Sequence, residues 1–216
     1  AENIGISAVG GRVQFTRDVA SVTIDLDDVE RIQFNAQGGA DVITVNDLSG
    51  ADVTQVEINL AVNGLGDAGP DTVIANATSG DDVIQLAGDS SGVSVLGLAA
   101  QITLTGTEAA NDRIIINALD GADVIDASRV VAGTVGLTLN GGAGNDVLIG
   151  SAGDDVLIGG DGDDVLIGNG GNDIFDGGAG DDIEIQGFVA GASTEDQIDL
   201  SDRGISFDWL MAHASE

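Results

Sequence analysis

Five aspartates recur at a spacing of nine residues: Asp146, Asp155, Asp164, Asp173 and Asp182. Each has one glycine five residues before it (Gly141, Gly150, Gly159, Gly168, Gly177) and another two residues before it (Gly144, Gly153, Gly162, Gly171, Gly180). Carboxylates are hard oxygen donors, and glycines let a backbone turn tightly enough to aim carbonyl oxygens inward. The chemistry this combination serves is ligation of a hard divalent cation, Ca2+ above all. The residues after each aspartate are VLI, VLI, VLI, IFD and IEI, which have strand propensity. Short strands are therefore the elements expected to hold the aspartate turns in place.

The block from residue 141 to residue 185 reads GGAGNDVLI, GSAGDDVLI, GGDGDDVLI, GNGGNDIFD and GGAGDDIEI, with no slip in register. It holds 14 glycines, 11 acidic residues and no basic residue. Self-repulsion opposes its folding until a cation binds. The pattern GGxGxDxUx resembles the calcium-binding repeat of the RTX (repeats-in-toxin) family. The resemblance implies a parallel β-roll in which two nonapeptides make one coil and each turn stacks on the next but one. It implies Ca2+ between Asp146 and Asp164, between Asp155 and Asp173, and between Asp164 and Asp182. It also implies turn carbonyls as ligands, from Gly141, Ala143, Gly150, Ala152, Gly159, Asp161, Gly168, Gly170, Gly177 and Ala179. Type I secretion from a bacterial cell, with folding outside, is usual in the family.

Upstream, the same plan recurs in looser form. Segments beginning at Ile32, Ile58, Ile102 and Leu137 each run as a strand, a turn, Asp plus strand, a turn, Asp plus strand. The reading is one all-β, right-handed parallel β-solenoid over 1–140 with degenerate repeats, tightening into a calcium β-roll over 141–185. Residues 186–216 are expected to cap it, with Phe207, Trp209, Leu210 and Met211 over the last coil. Asp41, Asp82 and Asp123 follow Gly-containing turns and are candidates for weaker calcium sites. Position 8 of each nonapeptide should face the core, leaving Val147, Ile149, Val165, Ile167, Ile183 and Ile185 as an outer apolar stripe. That stripe suits self-association.

Charge and composition narrow the function. With 37 acidic and 6 basic residues among 216, the net charge is −31. Such a field repels phosphate backbones and anionic lipid, which argues against nucleic-acid partners and membrane insertion. No cysteine is present, so there is no disulfide framework and no thiolate chemistry. The first residues, AENIGISAVGG, lack the basic and apolar stretches of a signal peptide. GDSSG at 88–92 fits G-x-S-x-G, but a strand-like GVSVLGLA follows and the single histidine, His213, lies in the tail. GLGDAG at 64–69 fits G-x-G-x-x-G, but Pro70 and a strand follow where a dinucleotide site needs a helix. One histidine without cysteine makes no usual zinc site.

The expected function is that of a non-catalytic, calcium-folded module of a secreted or cell-surface bacterial protein. Two alternatives stand beside it: a self-assembling surface, adhesin or filament block, and the accessory module of a secreted enzyme whose catalytic domain lies elsewhere.

Overall fold

The computed structural model describes residues 1–186 and 197–199. In chain order the strands are β1 (Asn3–Val9), β2 (Arg12–Arg17), β3 (Val22–Leu26), β4 (Arg31–Asn35), β5 (Val42–Val45), β6 (Gln55–Asn59), β7 (Thr72–Asn76), β8 (Val83–Asp89), β9 (Gly92–Leu96) and β10 (Gln101–Thr105). They continue with β11 (Arg113–Asp120), β12 (Val124–Val130), β13 (Gly136–Ala143), β14 (Val147–Ile149), β15 (Asp155–Asp161), β16 (Val165–Ile167), β17 (Ile174–Ala179), β18 (Ile183–Gln186) and β19 (Gln197–Asp199). Among the described residues there is no α-helix. The chain is all-β with mostly parallel strands in two sheets, ordered β17-β15-β13-β11-β7-β5-β1-β2-β3 and β19-β18-β16-β14-β12-β8-β9-β10-β6-β4.

From β11 onward the chain alternates between the sheets, one strand in each. Thr138 pairs with Val156 and Val156 with Ile174 on one sheet, while Val147 pairs with Val165 and Val165 with Ile183 on the other. Each nonapeptide therefore supplies one strand, and two make one coil. Upstream the coils are wider. There β4, β6 and β10 form a third parallel row beside β5, β7 and β11 and beside β8 and β12. That third row ends at β10, which is where the coil narrows.

Three stretches depart from the all-parallel expectation, one of them β19, which runs antiparallel to β18. Strands β1, β2 and β3 form an antiparallel meander, and β9 runs antiparallel between β8 and β10. The cause at β9 is a hairpin: GDSSG turns the chain back at 88–92, and Ser91 donates to Asp89 at the tip. A loop, not a helix, follows GLGDAG between β6 and β7. The expected strand after Asp52 is also missing; only Val53 there joins the core.

The core follows the period-two alternation of strands. On one sheet the inward side chains are Ile114 and Ile116, then Leu137 and Leu139, then Leu157; on the other they are Ile125, Leu148 and Leu166. Leu148, Leu157 and Leu166 are wholly buried, as position 8 requires. Phe175 is only partly buried against this core and Glu184 ends the series half-buried. The outward stripe is real in register: Val124, Val147, Val165 and Ile183 stand side by side, next to Ile149, Ile167 and Ile185. Neighbouring side chains leave each half-buried. On the other sheet, Asn46, Asn76, Asn117 and Asn140 form a ladder, each later amide donating to the side-chain oxygen of the one before at 2.8–3.3 Å. The expected cap over 186–216 lies almost wholly outside the described residues.

Candidate metal centre

Numbering each nonapeptide from its first glycine, the aspartate at position 6 sits where a strand begins, and its backbone N–H has no partner within its own turn. The partner is the next coil. Asp146 N–H donates to Asp164 Oδ1 (2.8 Å), Asp155 to Asp173 (3.0 Å) and Asp164 to Asp182 (3.0 Å). The pairs expected to share calcium are thus brought together as stacked neighbours. The ladder also extends upstream, through Asp82 to Asp123 and Asp123 to Asp146, and on the other sheet through Asp41 to Asp71 and Asp71 to Asp112.

Position 5 carries a second ladder of opposite sense, which the sequence reading missed. Asp163 N–H donates back to Asn145 Oδ1, Asn172 to Asp154 and Asp181 to Asp163. Asn or Asp at position 5 of all five repeats was the available signal. Each stacked pair of turns is therefore clamped twice, once in each direction.

Oδ1 is consumed by this clamp; Oδ2 is not. Among the described residues, Oδ2 of Asp41, Asp71, Asp123, Asp146, Asp164 and Asp173 is buried without a hydrogen-bond partner. A buried, unpartnered carboxylate oxygen is expensive, which points to a missing cation. In the repeats, other oxygens stand close to that oxygen around the glycine at position 1. A Cβ at Gly141 would strike Asp146 Oδ2 and the Gly159 carbonyl oxygen; at Gly159 it would strike Asp164 Oδ2 and the Gly177 carbonyl oxygen. Carboxylate and carbonyl oxygens of successive coils thus converge on the space the glycine leaves. At Gly168 and Gly177 the same space faces Asp173 and Asp182 Oδ2. This donor set fits Ca2+. No three acidic or imidazole side chains gather around one point among the described residues, so carbonyls must complete the shell.

The other expected carbonyls fall into two groups. Those of Ala143, Asp161 and Ala179 accept the N–H of Gly121, Gly144 and Gly162, and that of Gly150 accepts the Asn169 amide. The Gly168 carbonyl faces Gly150 and Asp155 Oδ2, and the Ala152 carbonyl faces Gly170. Gly141 lies in the first of these turns.

All the aspartate turns but one take one of two conformations; in the Asp71 turn neither Asp67 nor Gly69 has positive φ, yet Oδ2 is unpartnered. In the open form, residues at positions 2 and 4 both have positive φ: Gln37 and Gly39, Leu119 and Gly121, Gly142 and Gly144, Gly160 and Gly162, Asn169 and Gly171, Gly178 and Gly180. In the closed form neither does, and the position-2 N–H folds onto Oδ2 instead. Ser151 caps Asp155 this way (2.6 Å), Thr78 caps Asp82 (3.0 Å) and Glu108 caps Asp112 (2.7 Å). Open turns leave Oδ2 for a cation; closed turns satisfy it with protein. Of the three upstream candidates, Asp41 and Asp123 are open and Asp82 is closed. Within the repeats, Asp155 is closed. Asp71 and Asp112, which the sequence reading passed over, belong to the ladder as well.

Stacking dictates which residue holds position 2. A Cβ at Gly142 would collide with the Leu119 carbonyl, at Gly160 with that of Gly142, and at Gly178 with that of Gly160. A side chain at positive φ is accommodated only where no open turn precedes. Leu119 and Asn169 stand at those places, each after a closed turn.

The electrostatics agree. Burial pushes the Asp123 and Asp173 carboxyls up to about 6, helped by Asp146 and Asp155 respectively, and raises Asp146, Asp155 and Asp164 as well. Burial also holds Asp71 at about 6 and raises Asp41 and Asp112. Without a cation these groups resist ionisation inside the fold.

Residues 138–166 and 149–184 match the family model of the RTX calcium-binding nonapeptide repeat, in 4 copies. This segment consists of RTX calcium-binding repeats. The RTX segment covers β13 to β18 and so contains the Asp146, Asp155, Asp164, Asp173 and Asp182 turns. Searches of curated proteins and of solved structures found no match to the chain.

Proposed function

We propose that this chain is a calcium-folded, non-catalytic module of a secreted bacterial RTX protein, built as one right-handed parallel β-solenoid. The observation that carries the reading is the buried, unpartnered Oδ2 of Asp146 and Asp164, each beside a glycine where a carbonyl oxygen of the next coil also converges. Bound calcium supplies the positive charge that the turns lack. The chain's own part is to position one carboxylate oxygen and neighbouring carbonyls per turn, and to clamp successive coils through Oδ1. At the low calcium of a cell interior, the buried carboxylates keep the chain extended and fit for export; calcium outside lets the turns stack. Circular dichroism in chelator and in millimolar calcium tests this. β-structure should be weak in the first and strong in the second, and an identical folded spectrum in both refutes it.

A second reading is favoured by the registered apolar rows of Val147, Val165 and Ile183 and of Ile149, Ile167 and Ile185. They would serve lateral contact between two copies of this chain. Sedimentation over a hundredfold range of concentration, in calcium, separates an associating block from a monomeric module.

A further inference from the structure

We infer a further divalent-cation site outside the matched repeats, between the turn of Asp123 and the turn of Asp146. It rests on the reading that unpartnered Oδ2 atoms of the RTX turns meet calcium, and it singles out Asp123 from the three upstream candidates Asp41, Asp82 and Asp123.

The turn Ala118–Asp123 has alanine at position 1 and leucine at position 2, where the repeats below it have glycines. Its backbone nevertheless follows theirs. Leu119 has φ 84° and Gly121 φ 133°, against 112° and 133° at Gly142 and Gly144, and 118° and 140° at Gly160 and Gly162. The stacking is continuous: the Leu119 carbonyl faces Gly142 as Gly142 faces Gly160, and the Gly121 carbonyl faces Gly144 as Gly144 faces Gly162. The ladder is continuous too, since Asp123 N–H donates to Asp146 Oδ1 at 2.8 Å.

Asp123 is 1% exposed, and its Oδ2 has no partner. A leucine in a left-handed conformation is strained, and such strain persists only where surroundings impose it. Relaxing Leu119 to negative φ would give the closed turn, whose N–H would satisfy Oδ2 as Thr78 does for Asp82 directly above. The turn keeps both the strain and the bare oxygen. A cation held by Asp123 Oδ2 and by carbonyls of the stacked turns meets the bare oxygen, while stacking on Gly142 holds Leu119 left-handed. The column Asp123, Asp146, Asp164, Asp182 then has three gaps between successive open turns, the first of them this site.

Native mass spectrometry with calcium, on the full chain, gives the ion count. Asp123→Asn should bind one ion fewer than the parent, while Asp82→Asn, at the closed turn above, should bind the same number. An unchanged count in Asp123→Asn, with a parent that binds calcium, overturns this site alone. A parent that binds none overturns the proposed function instead. Leu119→Gly guards against a folding defect in Asp123→Asn. It keeps the carboxylate and relieves the strain, so the full ion count should persist with one site tightened several-fold. Unchanged affinity at every site would overturn the inference.

Discussion

The amide of Asp146 donates to the carboxylate of Asp164 at 2.8 Å across 18 residues of chain. One oxygen of that carboxylate is thereby fixed to the neighbouring coil while the other is left bare in the interior. The same side chain joins coils and creates the demand for an ion. Folding and calcium binding are coupled at the level of a single carboxyl group.

Asp164→Asn should separate the two roles. The amide oxygen can still accept from Asp146, while the buried charge is removed. In chelator the variant should hold more β-structure than the parent; in calcium it should gain less. Circular dichroism of both proteins with and without calcium gives the answer.

Acid should imitate the ion in part. Burial holds Asp71, Asp123 and Asp173 at about 6, against about 3.9 for an unfolded chain. Between these values the folded state binds more protons, so its stability is greatest below the unfolded value and falls as pH rises through the folded one. In chelator, the β-structure seen by circular dichroism should therefore grow as pH is lowered from 7 to 5. Calcium affinity, measured by calorimetry over the same range, should weaken as protons compete.

Gly160→Ala should be among the most damaging single changes. Its φ is 118°, and the added Cβ would run into the Gly142 carbonyl. A cost of about 3 kcal/mol or more follows from strain plus lost stacking. Leu119→Gly, at the top of the same column, should shift stability in the opposite direction. Equilibrium unfolding in saturating calcium compares them.

The asparagine ladder should matter without calcium. Asn117 donates to Asn76 and accepts from Asn140, so Asn117→Ala removes two hydrogen bonds, at about 1–2 kcal/mol. The loss should be the same in calcium and in chelator if any folded population is measurable in both. A loss seen only in calcium would tie this row to the ion sites.

Much of this was legible. The nine-residue spacing named the aspartates, and the resemblance to the RTX repeat, with two nonapeptides per coil, placed Asp146 against Asp164 and Leu148 against Leu166. Local conformation was not legible. ALDGAD gives no hint that Leu119 is left-handed, since leucine disfavours that region and only the coil beneath imposes it. Ser151 looked like a neutral variant of a repeat, yet its N–H and hydroxyl close the Asp155 turn. Asp41, Asp82 and Asp123 looked alike, and only the angle at position 2 separates them. The antiparallel course of β9 was hidden for another reason: GVSVL announces a strand but not its direction.

The rule at position 2 bears on how such an array can lengthen. A turn with glycine at that position fits beneath an open turn of its own column, as Gly160 does beneath Gly142 and Gly178 beneath Gly160, so that column can be extended by further copies. The coil bearing Leu119 has no such freedom, because a second copy beneath it would drive the leucine Cβ into a carbonyl. Leucine 119 thus marks a fixed starting point, and length variation is confined to the C-terminal side of it.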